Sequence, residues 1–312
     1  MENSWVTIIS ASGSAHGESS GRSATARSAA ARQDLLLRAV APGPDGCISH
    51  VDPAIAGWDY TTVTAYRLTA GQAVERAADD QERLVLLLEG YGSAVVGDKD
   101  LGRIGSRTSV FDGPPPPVVL VAPGTGFRLV AEGDALVVVG SAPGGPISVN
   151  RYVAPGDVPA EARGQGNTAR RIHHLLPPGA EAGRLIAFEV FTPGGNWSSY
   201  PPHKHDTENP PVEARLEEYY FYRFAKPQGF GFQRVYTADR SLDEAMAVTD
   251  CDVVMVPEGY HPFGAPAGYD AYYLNVMAGP NRAWFFTLDP DHAWLMNWSP
   301  AAPAPAQEGP AT

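Results

Sequence analysis

The sequence predicts an all-β protein built from two similar halves, and three observations carry that prediction. Gly (33) and Pro (29) are both abundant among 312 residues, which suits many short strands joined by tight turns. Short apolar runs recur between Gly, Pro and Asp in two dense blocks, at the spacing of a sandwich or barrel. One landmark also occurs twice. Val118–Val121 runs into Pro123-Gly124-Thr125, and Val253–Val256 runs into Pro257-Glu258-Gly259, as an internal duplication would give.

The elements follow in order. Residues 1–33 are rich in Ser, Ala, Gly and Arg and read as a disordered tail, or at most a short helix from Ala24 to Leu37. Residues 34–150 form the first half. There Leu84–Leu88 is a continuous apolar strand closed by Glu89 and Gly90. Ala94–Val96, Ser109–Phe111, Val118–Val121, Phe127–Val130 and Leu136–Val139 follow as strands. Residues 151–171 read as a linker kept irregular by Pro155, Gly156, Pro159, Gly164 and Gly166. Residues 172–298 form the second half, with strands at Leu185–Phe191, Glu218–Phe224, Phe230–Tyr236, Asp252–Val256 and Tyr272–Met277. The Pro/Ala-rich stretch 299–312 reads as a tail.

Composition narrows the function. Hydrophobic residues at 44% and charged residues at 19% describe an ordinary globular protein with a large core. A net charge of −12 argues against nucleic acid, which needs a basic face. A small anionic substrate stays compatible, given local Arg or Lys. Cys47 and Cys251 are the two cysteines and form no disulfide framework. No apolar run reaches membrane-spanning length and no signal segment is visible, so the expectation is a cytoplasmic protein with no membrane partner.

The chemistry gathers in the last third. His203 and His205 are one residue apart, so on a strand they point to the same side. Pro201-Pro202 enforces extended backbone before them. Glu217 and Glu218 open an aromatic run, Tyr219–Tyr222, where a carboxylate is costly without a partner. Neighbours on a strand face opposite ways. Glu218 is the better ligand because Tyr220 and Tyr222 share its face, which leaves Glu217 facing out. His261 follows a Pro/Gly turn, at a strand end. Three imidazoles and one carboxylate make a site for a divalent metal with open positions, and Zn, Mn, Fe, Co and Ni all suit it. The first block of strands has no histidine, so only the second half is expected to bind metal; the first reads as a scaffold or an interface, compatible with a homo-oligomer. Arg234, with Gln233 and Tyr236 on the same strand, is a candidate clamp for a substrate carboxylate, against the plainer reading of a surface ion pair. Tyr273 and Asn275 could reach the same pocket. His173-His174 fits a contact between the halves better than catalysis.

This spacing resembles the cupin superfamily, whose first motif carries His-x-His and Glu and whose second carries Pro-x-Gly and His. Here these are Gly195, His203, His205 and Glu218, then Pro257, Gly259 and His261. The gap from His205 to Glu218 is longer than usual, so residues 206–215 must loop out, and Cys251 stands where a Gly normally precedes the strand. Phe191–Asp206, Gly229–Tyr236, Val256–Pro262 and Tyr272–Gly279 resemble the 5-deoxy-glucuronate isomerase family of bacterial myo-inositol catabolism. The first half agrees more loosely, at Ser109–Gly113 and Ala122–Thr125. The resemblance implies a duplicated cupin, a double-stranded β-helix or jelly-roll barrel repeated as a bicupin. It implies aldose–ketose conversion of 5-deoxy-D-glucuronate to 5-dehydro-2-deoxy-D-gluconate. It also implies zinc, which the related pectin-pathway uronate isomerase binds through the equivalent three histidines and glutamate. On that scheme Glu217 or Tyr273 is the candidate base and Arg234 holds the carboxylate. A cupin iron oxygenase and a non-catalytic sugar-binding cupin are the rival readings.

Overall fold

The computed structural model describes residues 34–147 and 149–298. In chain order its strands are β1 (Leu36–Leu37), β2 (Cys47–Val51), β3 (Thr62–Leu68), β4 (Ala73–Arg76), β5 (Gln81–Val96), β6 (Lys99–Arg107), β7 (Val118–Val121), β8 (Phe127–Ala131), β9 (Ala135–Pro143) and β10 (Arg151–Val153). They continue as β11 (Ala160–Arg163), β12 (Arg170–Leu176), β13 (Ile186–Thr192), β14 (Trp197–Ser198), β15 (His203–Lys204), β16 (Glu217–Phe224), β17 (Phe230–Tyr236), β18 (Asp243–Thr249), β19 (Val253–Val256), β20 (Phe263–Gly264), β21 (Ala271–Ala278) and β22 (Thr287–Leu288). The expected tails 1–33 and 299–312 lie outside the described residues. No described helix is long and apolar enough to cross a membrane.

Two large sheets carry the duplication. The first runs β10-β7-β5-β9-β3-β2 and the second β1-β19-β16-β21-β13-β12-β11. Position for position, β7 matches β19, β5 matches β16, β9 matches β21, β3 matches β13 and β2 matches β12. A smaller sheet curls off each. In the first half β4, β6 and β8 gather on the outer part of β5, and in the second the order is β14-β20-β17-β18. The outermost strands are exchanged. β1 precedes the first barrel yet pairs with β19 of the second, with Leu36 opposite Val254. β10 precedes the second barrel yet pairs with β7 of the first, with Tyr152 opposite Val119. Each half lends its opening strand to the other.

Several expectations are corrected here. Leu36–Leu37, the end of the expected helix, are strand, because pairing with β19 and burial of Leu35 override local propensity. Residues 151–171 are not irregular throughout: β10, β11 and the start of β12 each find a sheet edge between the Pro and Gly breaks. Ser109–Phe111 is a turn, closed by the Asp112 N–H on the Ser109 carbonyl and by the Val110 N–H on Glu89. Leu84–Leu88 and Ala94–Val96 are parts of one sixteen-residue strand, β5.

At the barrel mouths the register aligns the two halves residue for residue. Val121 ends β7 opposite Arg83, and Val256 ends β19 opposite Glu218. Three residues beyond each comes a left-handed glycine, Gly124 at φ 78° and Gly259 at φ 87°. A Cβ on Gly259 would lie 2.4 Å from the Tyr236 carbonyl oxygen, so this turn needs glycine twice over. Arg83 and Glu218 therefore hold equivalent places, as do their neighbours Glu82 and Glu217.

The largest core lies between the two big sheets, where Leu84, Leu86 and Leu88 of β5 meet Phe221 of β16 and Leu274 and Val276 of β21. Each barrel has a separate interior core. Strands buried on both faces need no polar alternation, which is why Leu84–Leu88 is apolar throughout. Burying each such leucine contributes about 1.5–3 kcal/mol. The sheets approach so closely that a Cβ on Gly140 would lie 2.9 Å from Val276. Polar groups also bridge the halves: Arg107 donates to both oxygens of Glu189, at 3.0 and 2.6 Å, and His173 Nδ1 lies 2.6 Å from the same carboxylate.

Candidate metal centre

His203 lies on β15, paired with Leu288 of β22, and His205 follows two residues on. Glu218 opens β16, and His261 follows the Gly259 turn between β19 and β20. The structure brings all four together inside the second barrel. The three imidazoles offer nitrogens within 4.8 Å of one another. Glu218 Oε2 is 3.0 Å from His205 Nε2 and 3.1 Å from His261 Nε2. His205, His261 and Glu218 are all buried, which fits a site walled off from bulk water.

The hydrogen bonds around the ring decide what the site can hold. Nδ1 of each histidine faces a backbone carbonyl: Pro201 at 3.3 Å from His203, Leu216 at 3.1 Å from His205, Gly259 at 3.0 Å from His261. Carbonyls only accept, so each Nδ1 donates a proton to its carbonyl, which leaves each Nε2 as the nitrogen turned to the centre. His261 Nε2 has no hydrogen-bond partner despite full burial. On the other carboxylate oxygen, Asn275 donates to Glu218 Oε1 at 2.7 Å, aiming Oε2 at the imidazoles. Burial works against ionising Glu218, but His261 and His205 outweigh it and hold its carboxyl far below the usual range. Burial, then the charges of His261 and His205, push His203 well below an ordinary histidine. Burial opposes charging His205, but its hydrogen bond to Glu218 outweighs that and raises its pKa. Three imidazoles and one carboxylate, each oriented from behind, fit a divalent metal.

Glu217 is not outward-facing, and the reading of it as a base is corrected. It is buried on the opposite face of β16 and accepts the backbone N–H groups of Asp59, Tyr60 and Thr61, at 2.6, 3.0 and 2.8 Å. Its equivalent, Glu82, does the same in reverse, accepting N–H groups of Gly183, Arg184 and Leu185. The pair clasps one barrel to the other. Arg234 is likewise corrected as a carboxylate clamp: it is half-exposed on β17, bidentate with Asp243 at 2.8 Å, away from the metal ligands. Gln233 is buried beneath the site, donating to the His261 carbonyl at 2.8 Å and meeting the Tyr222 hydroxyl. Tyr236 donates to Asp289 at 2.7 Å and serves packing.

A cavity of about 60 Å³ opens on the centre, with His203, Glu218 and Asn275 on its wall. Tyr220 and Tyr273 line it too, their hydroxyls 2.9 and 3.3 Å from Ser199 Oγ. Burial raises both phenols above their ordinary value, so both stay protonated. Sequence reasoning missed Arg163 and Arg170 on the cavity's other wall, and read His174, which stands beside them, as a contact between the halves. The two arginines lay in the stretch read as a linker. A cluster of arginines there, in a chain this acidic, was the signal. Arg170 is anchored by the carbonyls of Thr168 and Tyr200, at 2.9 and 3.0 Å. Arg163 is held bidentate by Glu161, whose Oε2 also meets His174 Nε2 at 3.0 Å. Burial lowers the His174 pKa, keeping its ring neutral.

Fold and site together define a bicupin whose second barrel carries a histidine cluster able to hold a metal ion. Solved structures of two oxalate decarboxylases share the fold: the Lactobacillus farciminis enzyme in its formate complex (TM-score 0.58, 13% identity, covering 91% of this chain and 92% of that one) and a point mutant of the Bacillus subtilis enzyme (TM-score 0.57, 10%, 82% and 79%). The chain belongs to the KduI/IolB family, whose family model matches residues 35–295. It is 45% identical over 268 residues to a 5-deoxy-glucuronate isomerase of Geobacillus thermodenitrificans, covering 86% of this chain and 98% of that protein. Over 251 residues it is 41% identical to the Lacticaseibacillus casei 5-deoxy-glucuronate isomerase, covering 80% and 93%. The crystal structure of an IolB-like protein from Salmonella typhimurium LT2 matches with a TM-score of 0.81 at 44% identity, covering 84% and 99%.

Proposed function

We propose that the chain is a metal-dependent aldose–ketose isomerase converting 5-deoxy-glucuronate to 5-dehydro-2-deoxy-gluconate in inositol breakdown. Relatives carrying that activity in their names match it over nearly their whole lengths. The observation that carries the reading is one cavity with metal ligands on one wall and two arginines on another. A bound divalent metal, taken here as zinc, supplies Lewis-acid polarisation of an aldehyde and its neighbouring hydroxyl.

The chain's own groups do the rest. Arg170 and Arg163 take the substrate carboxylate, which a protein of net charge −12 would otherwise repel. Tyr220 and Tyr273, kept protonated, donate hydrogen bonds to substrate oxygens and are not bases at neutral pH. The proton must move from C2 to C1, and the cavity's neutral imidazole outside the metal set is His174. With Nε2–H donated to Glu161, its Nδ1 is free to take a proton and return it.

Two comparisons test this in an anaerobic assay on 5-deoxy-glucuronate, where neither an iron oxygenase nor a binding module would turn over. Arg170→Gln is expected to raise KM by about 10–100-fold, the worth of a charge-assisted pair. Arg234→Ala, which loses only an exposed ion pair, should change KM less than about threefold. His174→Gln should lower kcat by about 10²–10³-fold at similar KM, with the acid limb of kcat/KM in the parent lying below an ordinary histidine. Glu217→Gln should keep kcat per folded, metal-loaded molecule. Equal losses at positions 174 and 217 would remove His174 from the mechanism.

A further inference from the structure

We propose that the mouth of the first barrel is a second ligand site, selective for a small hydroxylated carboxylate such as a sugar acid. The register places it. Thr64 and Val139 face each other across β3 and β9, as Phe188 and Asn275 do across β13 and β21. Phe188 and Asn275 wall the metal cavity; Thr64 and Val139 wall a separate cavity in the first barrel. His50 stands opposite Thr64 there, as His174 packs on Phe188 at 5.2 Å between ring centroids. The duplicated fold has kept the cavity and changed its chemistry.

Where the second barrel has Glu218, which suits a cation, the first has Arg83. Its side chain is only 5% exposed. Nη2 meets Asp79, while Nη1 is buried with no hydrogen-bond partner. Arg76 lines the same cavity, its guanidinium bonded to the Tyr66 hydroxyl and the Glu75 carbonyl. The two acids present are already engaged. Asp79 also accepts the Gln81 N–H at 2.9 Å; Asp52 accepts the Ile55 N–H at 2.8 Å and lies 3.4 Å from His50 Nε2. An incoming carboxylate is therefore matched by the guanidinium groups. The Thr62 hydroxyl and the Gln81 carboxamide oxygen offer a donor and acceptors that a polyol needs, beside Thr64, whose hydroxyl is shared with His50 Nδ1 at 2.8 Å, and the Gln81 amide nitrogen, which donates to Asp80 at 2.9 Å. The site does not depend on the isomerase reading, because none of its residues borders the metal cavity.

The test is equilibrium dialysis of the metal-loaded full chain against D-gluconate. Two gluconates should bind per chain. Arg83→Gln should weaken one of them by about tenfold or more while leaving kcat/KM on 5-deoxy-glucuronate unchanged, and Arg170→Gln should weaken the other. Acetate, which lacks hydroxyls, and sorbitol, which lacks charge, should each bind the Arg83-dependent site about tenfold more weakly than gluconate. Should Arg83→Gln fail to fold, Arg76→Gln reads the same site. One gluconate per chain, a stoichiometry indifferent to both substitutions, or acetate binding as well as gluconate would each overturn the proposal.

Discussion

Replacing His261 with alanine is expected to strip the centre of metal and lower isomerase activity by about 10³-fold or more. Of the three imidazoles, His261 is the one whose buried Nε2 makes no hydrogen bond, with the Glu218 oxygen 3.1 Å away. Without it, two nitrogens and one carboxylate remain, and each lost donor weakens a zinc-class site steeply. Elemental analysis of the purified variant should show metal well below one per chain, beside one in the parent. The melting temperature should fall only by what the lost metal contributed, since binding stabilises the folded state in proportion to its tightness. A fully folded, metal-free variant with parental turnover would end the metal-dependent scheme. Asn275→Leu should produce a milder version, because it frees Glu218 Oε1 to rotate without removing a ligand.

How far the sequence was legible depended on whether local pattern or distant partners decided the outcome. Runs such as Val118–Val121 and Phe230–Tyr236 were readable to the residue, because strand, turn and burial all speak in adjacent letters. The clustering of His203, His205 and His261 was readable too, since His-x-His and a post-turn histidine state their geometry locally. What failed needed the third dimension. Nothing near Leu36–Leu37 announces a strand; its partner is more than two hundred residues away. Glu217 reads as a surface residue until Asp59, Tyr60 and Thr61 are known to lie against it. Arg234 and Arg170 are chemically the same residue. Only the fold puts Asp243 beside the first and the cavity beside the second.

The second large effect is expected at the junction of the barrels. Arg107 and Glu189 are both fully buried side chains, joined by two hydrogen bonds, with His173 on the same carboxylate. Arg107→Leu removes the cation and leaves Glu189 buried with His173 and Tyr272 beside it. Breaking such a pair costs about 3–5 kcal/mol, which for a chain of this size lowers the melting temperature by roughly 10 °C. The pH dependence fixes the cause. Burial opposes the charge on Glu189, but His173 and Arg107 outweigh it and lower its folded-state pKa. A lowered carboxylate contributes stability that is present above the unfolded-state pKa, about 4.3, and is lost as pH falls through the folded value. In the variant the carboxylate no longer has that stabilisation to lose. The gap in melting temperature between parent and Arg107→Leu should therefore be widest near neutral pH and narrow as pH drops below about 4. A gap that stays constant from pH 7 to pH 3 would assign the loss to packing rather than to the buried charge.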